Sequence, residues 1–486
     1  MKQKDMDKIL EIGVLLSSER DLSRLLDQIL TSVMELTRCD GGTLYLLDED
    51  CLRFKIMRNN TLGTSEGGDG RDPGLPPVPL DRKHVCALSL IEDRVIRVED
   101  VRKCREYDFS GPIEYDAIFR YHTQSMLVVP MRNREGAKIG VLQMINALDE
   151  EGKVCAFSED MVLLAESVAS QAAITIQNVR YIQMIKDLFR SFVRVLSSAI
   201  DKRTPYNGNH TRHMASCGEK FIDFLNRQAR DEGKEEPFSR EHREEILMSI
   251  WLHDIGKLVT PLEVMNKEYR LRPEQYQNFC HRMETIRLTA KIEHLHGSLT
   301  DEEYEKMVSS TREAFALVEE AKKAERITDS MLAGIQDLRT RTYTGEDGLI
   351  HSWLSDDEYE MLSIRGGTLS PQERKIMAEH VVVTDKLLSQ IRFSPELSHV
   401  RQWAADHHEF LNGSGYPHGK RGQEIPMEVR IITILDIFDA LVASDRPYKA
   451  GKTVEEALEI LKEMAENQGK LDPELTRQFI ASRCWQ

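Results

Sequence analysis

At 486 residues the chain is too long for one ordinary domain, and two or three are expected. A formal net charge of −16 argues against non-specific binding of polymeric nucleic acid or an anionic membrane, but not against a small anionic ligand held in a locally positive pocket. With 41% hydrophobic residues the chain can build proper cores, yet no apolar run reaches the roughly 18 residues of a membrane span.

The first 26 residues are charged throughout and lack a signal-peptide core. The eight cysteines show no CxxC and no regular spacing, which predicts free thiols in a reduced, cytoplasmic chain. Residues 1–40 read as helical, because Leu10, Val14, Leu22, Leu25, Leu26, Ile29, Val33 and Leu36 recur near helical spacing. From Gly41 to about Ala147 the pattern turns to short β-branched or alternating runs: GGTLYLLDED, CLRFKIMRN, RVIRVED, SMLVVPMRN and KIGVLQMIN. Turn residues separate them, including a Gly/Pro-rich loop over 63–79. Four or five strands with a helix at each end predict an α+β sensor-type domain.

The order of these segments, with Phe157-Ser158-Glu159-Asp160 leading into LLAESVASQAAITIQNVRY, resembles a GAF domain. The resemblance implies an antiparallel sheet flanked by helices, serving as a sensor or only as a dimerisation module. Cyclic-nucleotide-binding members carry an Asn-Lys pair followed by a distant Phe and Asp. Asn146, Phe157 and Asp160 are present here, but Ala147 replaces the lysine, which counts against a cyclic nucleotide in this domain.

Residues 159–200 contain no Gly or Pro and read as one long helix. Leu163, Val168, Ala172, Ile176, Val179, Ile182, Ile185, Leu188 and Phe192 recur along it, as in a coiled-coil linker or a long core helix. The parallel-dimer linker is the reading adopted.

From 201 onward the chain reads as mostly helical. Thirteen of the fifteen histidines lie there, so chemistry is expected in this half. The stretch 281–350 is charged, helical in pattern and without a motif, as an insertion would be. His210 and His213 lie in NGNHTRH, His253 and Asp254 in IWLHDIGKL, His380 in ERKIMAEH, His407 and His408 in AADHHEF, and Asp436 and Asp439 in RIITILDIFDALVA. A lone histidine on an apolar face is ordinarily a satisfied core residue. A carboxylate within so apolar a run is costly unless paired or metal-bound. Several such positions together point to imidazoles and carboxylates converging on metal, as a metal-dependent hydrolase requires.

These motifs, in order with GGTLSPQERKIMAEH, HHEFLNGSGYP, IPMEVRIITILDIFDALVASDRPYK and DPEL at 472–475, resemble the HD-GYP domain, a subgroup of the HD phosphohydrolases. The resemblance covers most of 190–486. It implies a metal-dependent phosphodiesterase that hydrolyses cyclic di-GMP to pGpG, GMP or both. It places His210, His253, Asp254 and Asp436 on one metal and His380, His407 and His408 on a second, with Asp254 bridging. Lys257 then approaches the scissile phosphate or the bridging oxygen. Arg446 and Lys449 match phosphate- or guanine-contacting positions, and Gly413, Gly415, Tyr416 and Pro417 form the loop that names the family. Mixed imidazole and carboxylate ligands suit Fe, Mn or Zn better than Mg or Ca. Members with a third metal carry a Glu where this chain has Tyr206, so a dinuclear site is expected. Thr204 and Asn412 stand where aspartates are usual.

The expectation is therefore a multidomain chain. A GAF-like α+β sensor domain (1–158) is joined by a long linker helix (159–200) to an all-α HD-GYP domain (201–486) with a helical insertion at about 281–350. Its partners would be cyclic di-GMP, a second copy through the GAF domain and linker, and a GGDEF-domain protein, with no nucleic-acid polymer and no membrane. The rival readings are a catalytically weak HD-GYP domain that binds cyclic di-GMP or a GGDEF partner without turnover, and a hydrolase of another cyclic dinucleotide.

Overall fold

The computed structural model describes residues 3–19, 21–68, 73–133, 135–203, 208–345, 348–443 and 451–486. Two compact units divide the chain, Met1–Phe189 and Arg190–Gln486.

The first unit opens with α1 (Gln3–Ser18) and α2 (Leu22–Thr37), separated where Asp21 caps α2 through the Arg24 backbone N–H. The strands are β1 (Cys39–Asp48), β2 (Cys51–Asn59), β3 (Thr64–Gly67), β4 (Val78–Pro79), β5 (Ile96–Val98), β6 (Met126–Arg132), β7 (Lys138–Leu148) and β8 (Val154–Cys155). Helices α3 (Val85–Glu92) and α4 (Ser110–Phe119) are set among them. The antiparallel sheet runs β3-β2-β1-β7-β6-β5, with β4 on β2 and β8 on β7. Strand alternation assigns the two faces. Leu44, Leu46, Leu127, Val129, Leu142 and Met144 pack with the apolar sides of α2 and of the helix Glu159–Asp201. Tyr45, Met126, Val128 and Val141 turn to the other face, against Val85, Leu88 and Leu90 of α3. The five strands readable in the sequence are β1, β2, β5, β6 and β7. The other three have two to four residues and lie in turn-rich stretches; β5 is as short, but it sits inside the run RVIRVED. Asn146 takes a positive φ, accepts a hydrogen bond from Gln124 N and donates to His122 O and Tyr121 Oη, so its side chain is spent on holding 121–124.

Helix α5 runs unbroken over Glu159–Asp201, as its lack of Gly and Pro predicts. Val168, Ala172, Ala173 and Ile176 are buried in the first unit.

The second unit holds two cores. One gathers α6 (His210–Asp231), α7 (Arg240–Leu252) and, later in the chain, the helices Met427–Val442, Val454–Glu466 and Pro473–Ser482, around Phe221, Ile250, Ile434, Leu435, Phe438 and Phe479. The other belongs to the segment between them. After the short α8 (Leu262–Met265) come α9 (Pro273–Leu295), α10 (Asp301–Lys323), α11 (Asp329–Thr340), the hairpin β9 (Thr342–Thr344) and β10 (Ile350–Ser352), and α12 (Asp356–Leu362). They close around Phe279, Met283, Val318, Ile335, Trp353 and Leu362. Arg270, fully buried, donates to the carbonyls of Ala321 and Ala324 at the end of α10 and of Ile364 just after the helix Asp356–Leu362, satisfying orphan groups of both. This subdomain lies in sequence between His253-Asp254 and His380. It is tied to α13 (Pro371–Leu388) by Lys267 and Arg272, which share the buried carboxylate of Glu373 at 2.7 and 3.1 Å. The rest is α14 (Val400–Ala405), α15 (Met427–Val442), α16 (Val454–Glu466) and α17 (Pro473–Ser482).

Candidate metal centre

Seven side chains from five segments converge in the second unit. His210 is the first residue of α6, and His253 caps the end of α7 with Asp254 following it. His380 lies inside α13, His407 and His408 follow α14, and Asp436 lies in α15. Six of them are less than one-tenth exposed, and only His408 is partly open.

Three of the histidines are set in the same way. His253, His380 and His407 each place Nδ1 2.7 Å from the carbonyl three residues earlier, of Ile250, Met377 and Ala404. A carbonyl only accepts, so Nδ1 carries the hydrogen and the Nε2 lone pair points inward. No hydrogen bond reaches Nε2 of His210, His253, His380 or His407, nor Oδ1 of Asp254. Five orphaned buried atoms at one point are expensive unless something binds them.

Donor atoms of His210, His253 and Asp254 lie within 4.8 Å of one another, as do those of His380, His407 and His408. Asp254 faces both triads. Its Oδ2 is 3.2 Å from His253 Nε2 and 3.8 Å from His210 Nε2, while its Oδ1 is 3.5 Å from His380 Nε2 and 4.0 Å from His407 Nε2. Asp436 presents Oδ1 to His210 at 3.3 Å and Oδ2 to His408 Nδ1 at 3.7 Å. Imidazole nitrogens and carboxylate oxygens, buried, orphaned and aimed at common points, fit divalent transition-metal cations.

The backbone around the centre is closely fitted. Thr384 donates to the His253 carbonyl at 3.0 Å and accepts from Gly256 N at 3.0 Å, locking α13 onto the His253-Asp254 corner. A Cβ on Gly256 would lie 1.9 Å from the His380 carbonyl oxygen, so only glycine lets the two backbones meet. Thr433 ties α15 to the His407 carbonyl at 2.8 Å. A Cβ on Gly415 would strike Phe410 N, the His408 carbonyl and Glu409 Cα, which explains that glycine beside the histidines. Glu409, itself buried, accepts from the backbone N–H groups of His418, Gly419 and Lys420 and so orders the loop that carries Tyr416, whose ring lies 4.8 Å from that of His408.

The electrostatics follow from burial opposed by neighbours. Burial would raise Asp254 and Asp436, but the cations and imidazoles around them outweigh it and hold both carboxyls well below the usual range. Burial pushes His380 and His407 down, and His408 down to about 4. His210 is the exception: burial lowers it, yet Asp436, Asp439 and Asp254 raise it to about 10. Lys257 sets Nζ 2.5 Å from Asp254 Oδ2, and that carboxylate lifts its pKa against the effect of burial.

All seven candidate metal ligands thus lie in one cluster, with Lys257 on it and Gly415 and Tyr416 beside it. Arg446 and Lys449, the candidate substrate contacts, lie outside the described residues, as do Thr204 and Tyr206. His213 is largely exposed at the edge, 3.8 Å from Asp439. Asp439, which the sequence offered only as a second aspartate in an apolar run, also reaches the cluster. It lies one turn after Asp436 and takes the His210 Nδ1 hydrogen at 2.6 Å.

The sequence model of the GAF domain matches residues 21–176, and that of the HD domain matches residues 357–475. A cyclic di-GMP phosphodiesterase of Thermotoga maritima is 38% identical over 122 residues, 25% of this chain and 32% of that protein. A 3'3'-cGAMP-specific phosphodiesterase of Vibrio cholerae is 41% identical over 108 residues, 22% of each. The chain therefore spans a third or less of the length of these relatives. Among solved structures, the GAF domain of an Acinetobacter phosphoenolpyruvate-protein phosphotransferase aligns over 38% of this chain and 99% of its own, at 19% identity and a TM-score of 0.29. The chain is a multidomain protein that joins an N-terminal GAF domain to a C-terminal HD domain.

Proposed function

We propose that the second unit is a dinuclear metal-dependent phosphodiesterase that hydrolyses cyclic di-GMP to pGpG, GMP or both. The observation that carries this reading is Asp254, whose two oxygens face two separate groups of orphaned imidazoles. His210, His253, Asp254 and Asp436 would hold one cation, and His380, His407, His408 and the other oxygen of Asp254 the second. Bound divalent ions, Fe or Mn by this donor set with Zn as the alternative, supply Lewis acidity toward a phosphodiester and toward water.

The chain's own residues do the rest. The Nδ1 hydrogen bonds hold each imidazole in one tautomer and one orientation, which second-shell partners commonly do for metal ligands. Lys257 holds a proton on Nζ beside Asp254 and is 20% exposed, so it can donate to a phosphoryl oxygen arriving from solvent. Tyr416, beside His408, walls the opening, and Gly415 brings its backbone against the histidines. Arg446 and Lys449 are assigned to the phosphate or guanine.

The proposed organisation is a sensor over 1–158, a linker helix over 159–200 and the hydrolase over 201–486. A cavity of about 500 Å³ in the first unit, lined by Tyr45, Phe54, Met57, Arg58 and Met126, supports a ligand-receiving sensor. Along α5, Tyr181, Ile185, Leu188, Phe192 and Val195 follow steps of four, three, four and three, and each is 49–69% exposed. This spacing is that of an a/d seam, which supports a parallel two-stranded coiled coil and a homodimer. No helix among the described residues is long and apolar enough to cross a membrane, which supports the assignment to the cytoplasm.

The test is metal analysis with turnover. Asp254→Ala should lose both cations and all hydrolysis of cyclic di-GMP; two metals per chain in that variant would rule out the bridging role. The 41% identity to a 3'3'-cGAMP-specific enzyme favours a second reading, another guanine-containing cyclic dinucleotide as substrate, and parallel assays on both compounds decide it. Metal-loaded protein that binds cyclic di-GMP, alone or with a GGDEF-domain protein, yet returns it intact would establish a binding module instead.

A further inference from the structure

Cys217 lies seven residues after His210, two turns along the same side of α6. α17 and the residues after it pack onto this helix and its neighbours. Phe479 meets Phe221 edge-on with ring centroids 5.4 Å apart, and Trp485 packs on Phe438 and Phe479 at 5.2 and 5.3 Å. Lys220 Nζ donates to the main-chain oxygen of Gln486 at 2.6 Å. This packing sets Cys484 Sγ 2.6 Å from Cys217 Sγ across a sequence separation of 267, with both residues buried.

Two buried thiols could share an S–H···S contact and be inert packing. Three features argue for more. The sulfurs are within about half an ångström of the roughly 2.0 Å of a disulfide, so closure needs little movement. Lys220, on α6 close to Cys217, acts on both thiols and favours the thiolate of either. The aromatic cluster that brings the thiols together also contains Phe438, which immediately precedes Asp439, the partner of His210.

We propose that Cys217 and Cys484 form a reversible dithiol–disulfide site, which when oxidised ties α6, the helix that begins at His210, to the segment after α17. The oxidant is hydrogen peroxide. One Sγ of the pair, as thiolate, attacks a peroxide oxygen, the O–O bond breaks, and the leaving hydroxide takes a proton to become water. The resulting sulfenic acid is attacked by the other Sγ; the S–O bond breaks, the S–S bond forms, and that thiol's proton leaves with the oxygen as a second water. Two thiols lose two electrons and two protons, and hydrogen peroxide gains them. A small thiol reverses the step by exchange. The inference does not depend on the phosphodiesterase reading.

The test is on the full chain. Reduced, desalted protein is treated with hydrogen peroxide, quenched with N-ethylmaleimide in denaturant, and mapped without reduction. The expected result is one cross-linked peptide joining Cys217 to Cys484, lighter by two hydrogens and released by dithiothreitol. In Cys217→Ser or Cys484→Ser that link should be absent and the remaining cysteine should carry the maleimide. The proposal is overturned if both residues carry maleimide after the more exposed Cys51 or Cys155 has been oxidised. It is also overturned if either is driven to sulfonic acid without a link, or if the links join other cysteines. Mapping the wild-type chain decides the matter even where a serine variant folds poorly.

Discussion

Asp439 shows how a residue can matter without touching a metal. Its carboxylate takes the hydrogen on His210 Nδ1, fixes the ring and adds negative charge behind it. Asp439→Asn keeps the shape and removes the charge. Cation affinity should fall about 10–100-fold, the usual cost of losing such a partner; an unchanged titration curve would leave Asp439 a packing residue. His210 also sets a pH dependence. In the metal-free site its carboxylate neighbours raise it to about 10, so near neutral pH the ring holds a proton on each nitrogen. A cation binding at Nε2 must displace that proton. Affinity should therefore rise with pH, by up to about tenfold per unit from neutrality toward pH 10, and metal uptake in weak buffer should release protons. Calorimetry in buffers of different ionisation enthalpy counts them; an uptake with no proton released at pH 7 contradicts the charged His210.

At the scale of elements, α5 is the notable one. Within the second unit its last turns hold both corners of the site. Ser197 donates to the Trp251 carbonyl in α7. Asp201 accepts from the N–H and hydroxyl of Thr211, the residue after His210, and Arg203 donates to the carbonyls of Lys257 and Leu258. A rotation of this helix would thus act on the backbone beside His210 and on the turn beside Asp254, a physical lever of the kind coupling requires. Inserting one residue near Gln177 turns everything beyond it by about 100° relative to the sensor end. Turnover of cyclic di-GMP should change while metal content stays constant; equal activity in the inserted and parent chains would make the helix a passive spacer.

At the scale of the whole molecule, the division into Met1–Phe189 and Arg190–Gln486 leaves every candidate ligand in the second unit. A chain beginning at Asp187 should keep its metals and its turnover and lose any response to sensor ligands, measured as metal content and rate with and without them. Loss of metal on truncation would mean that the first unit is needed to build the site. Much of this organisation was legible in the chain itself. Strand alternation in SMLVVPMRN and KIGVLQMIN, the Gly/Pro-free run of α5 and the separate histidine-carboxylate motifs all depend on local spacing, which a sequence displays directly. The short strands β3, β4 and β8, the Asp439–His210 contact and the meeting of Cys217 with Cys484 do not. The first lie in turn-rich stretches without a run of their own, and the other two join residues 229 and 267 positions apart. Residue types and their spacing on each helix determined by themselves that a cluster of imidazoles and carboxylates was available. Only the packing of α6, α7, α13, α14 and α15 decided that Asp254 would face both triads, because that depends on helix positions set by a buried core and not by any one segment's periodicity.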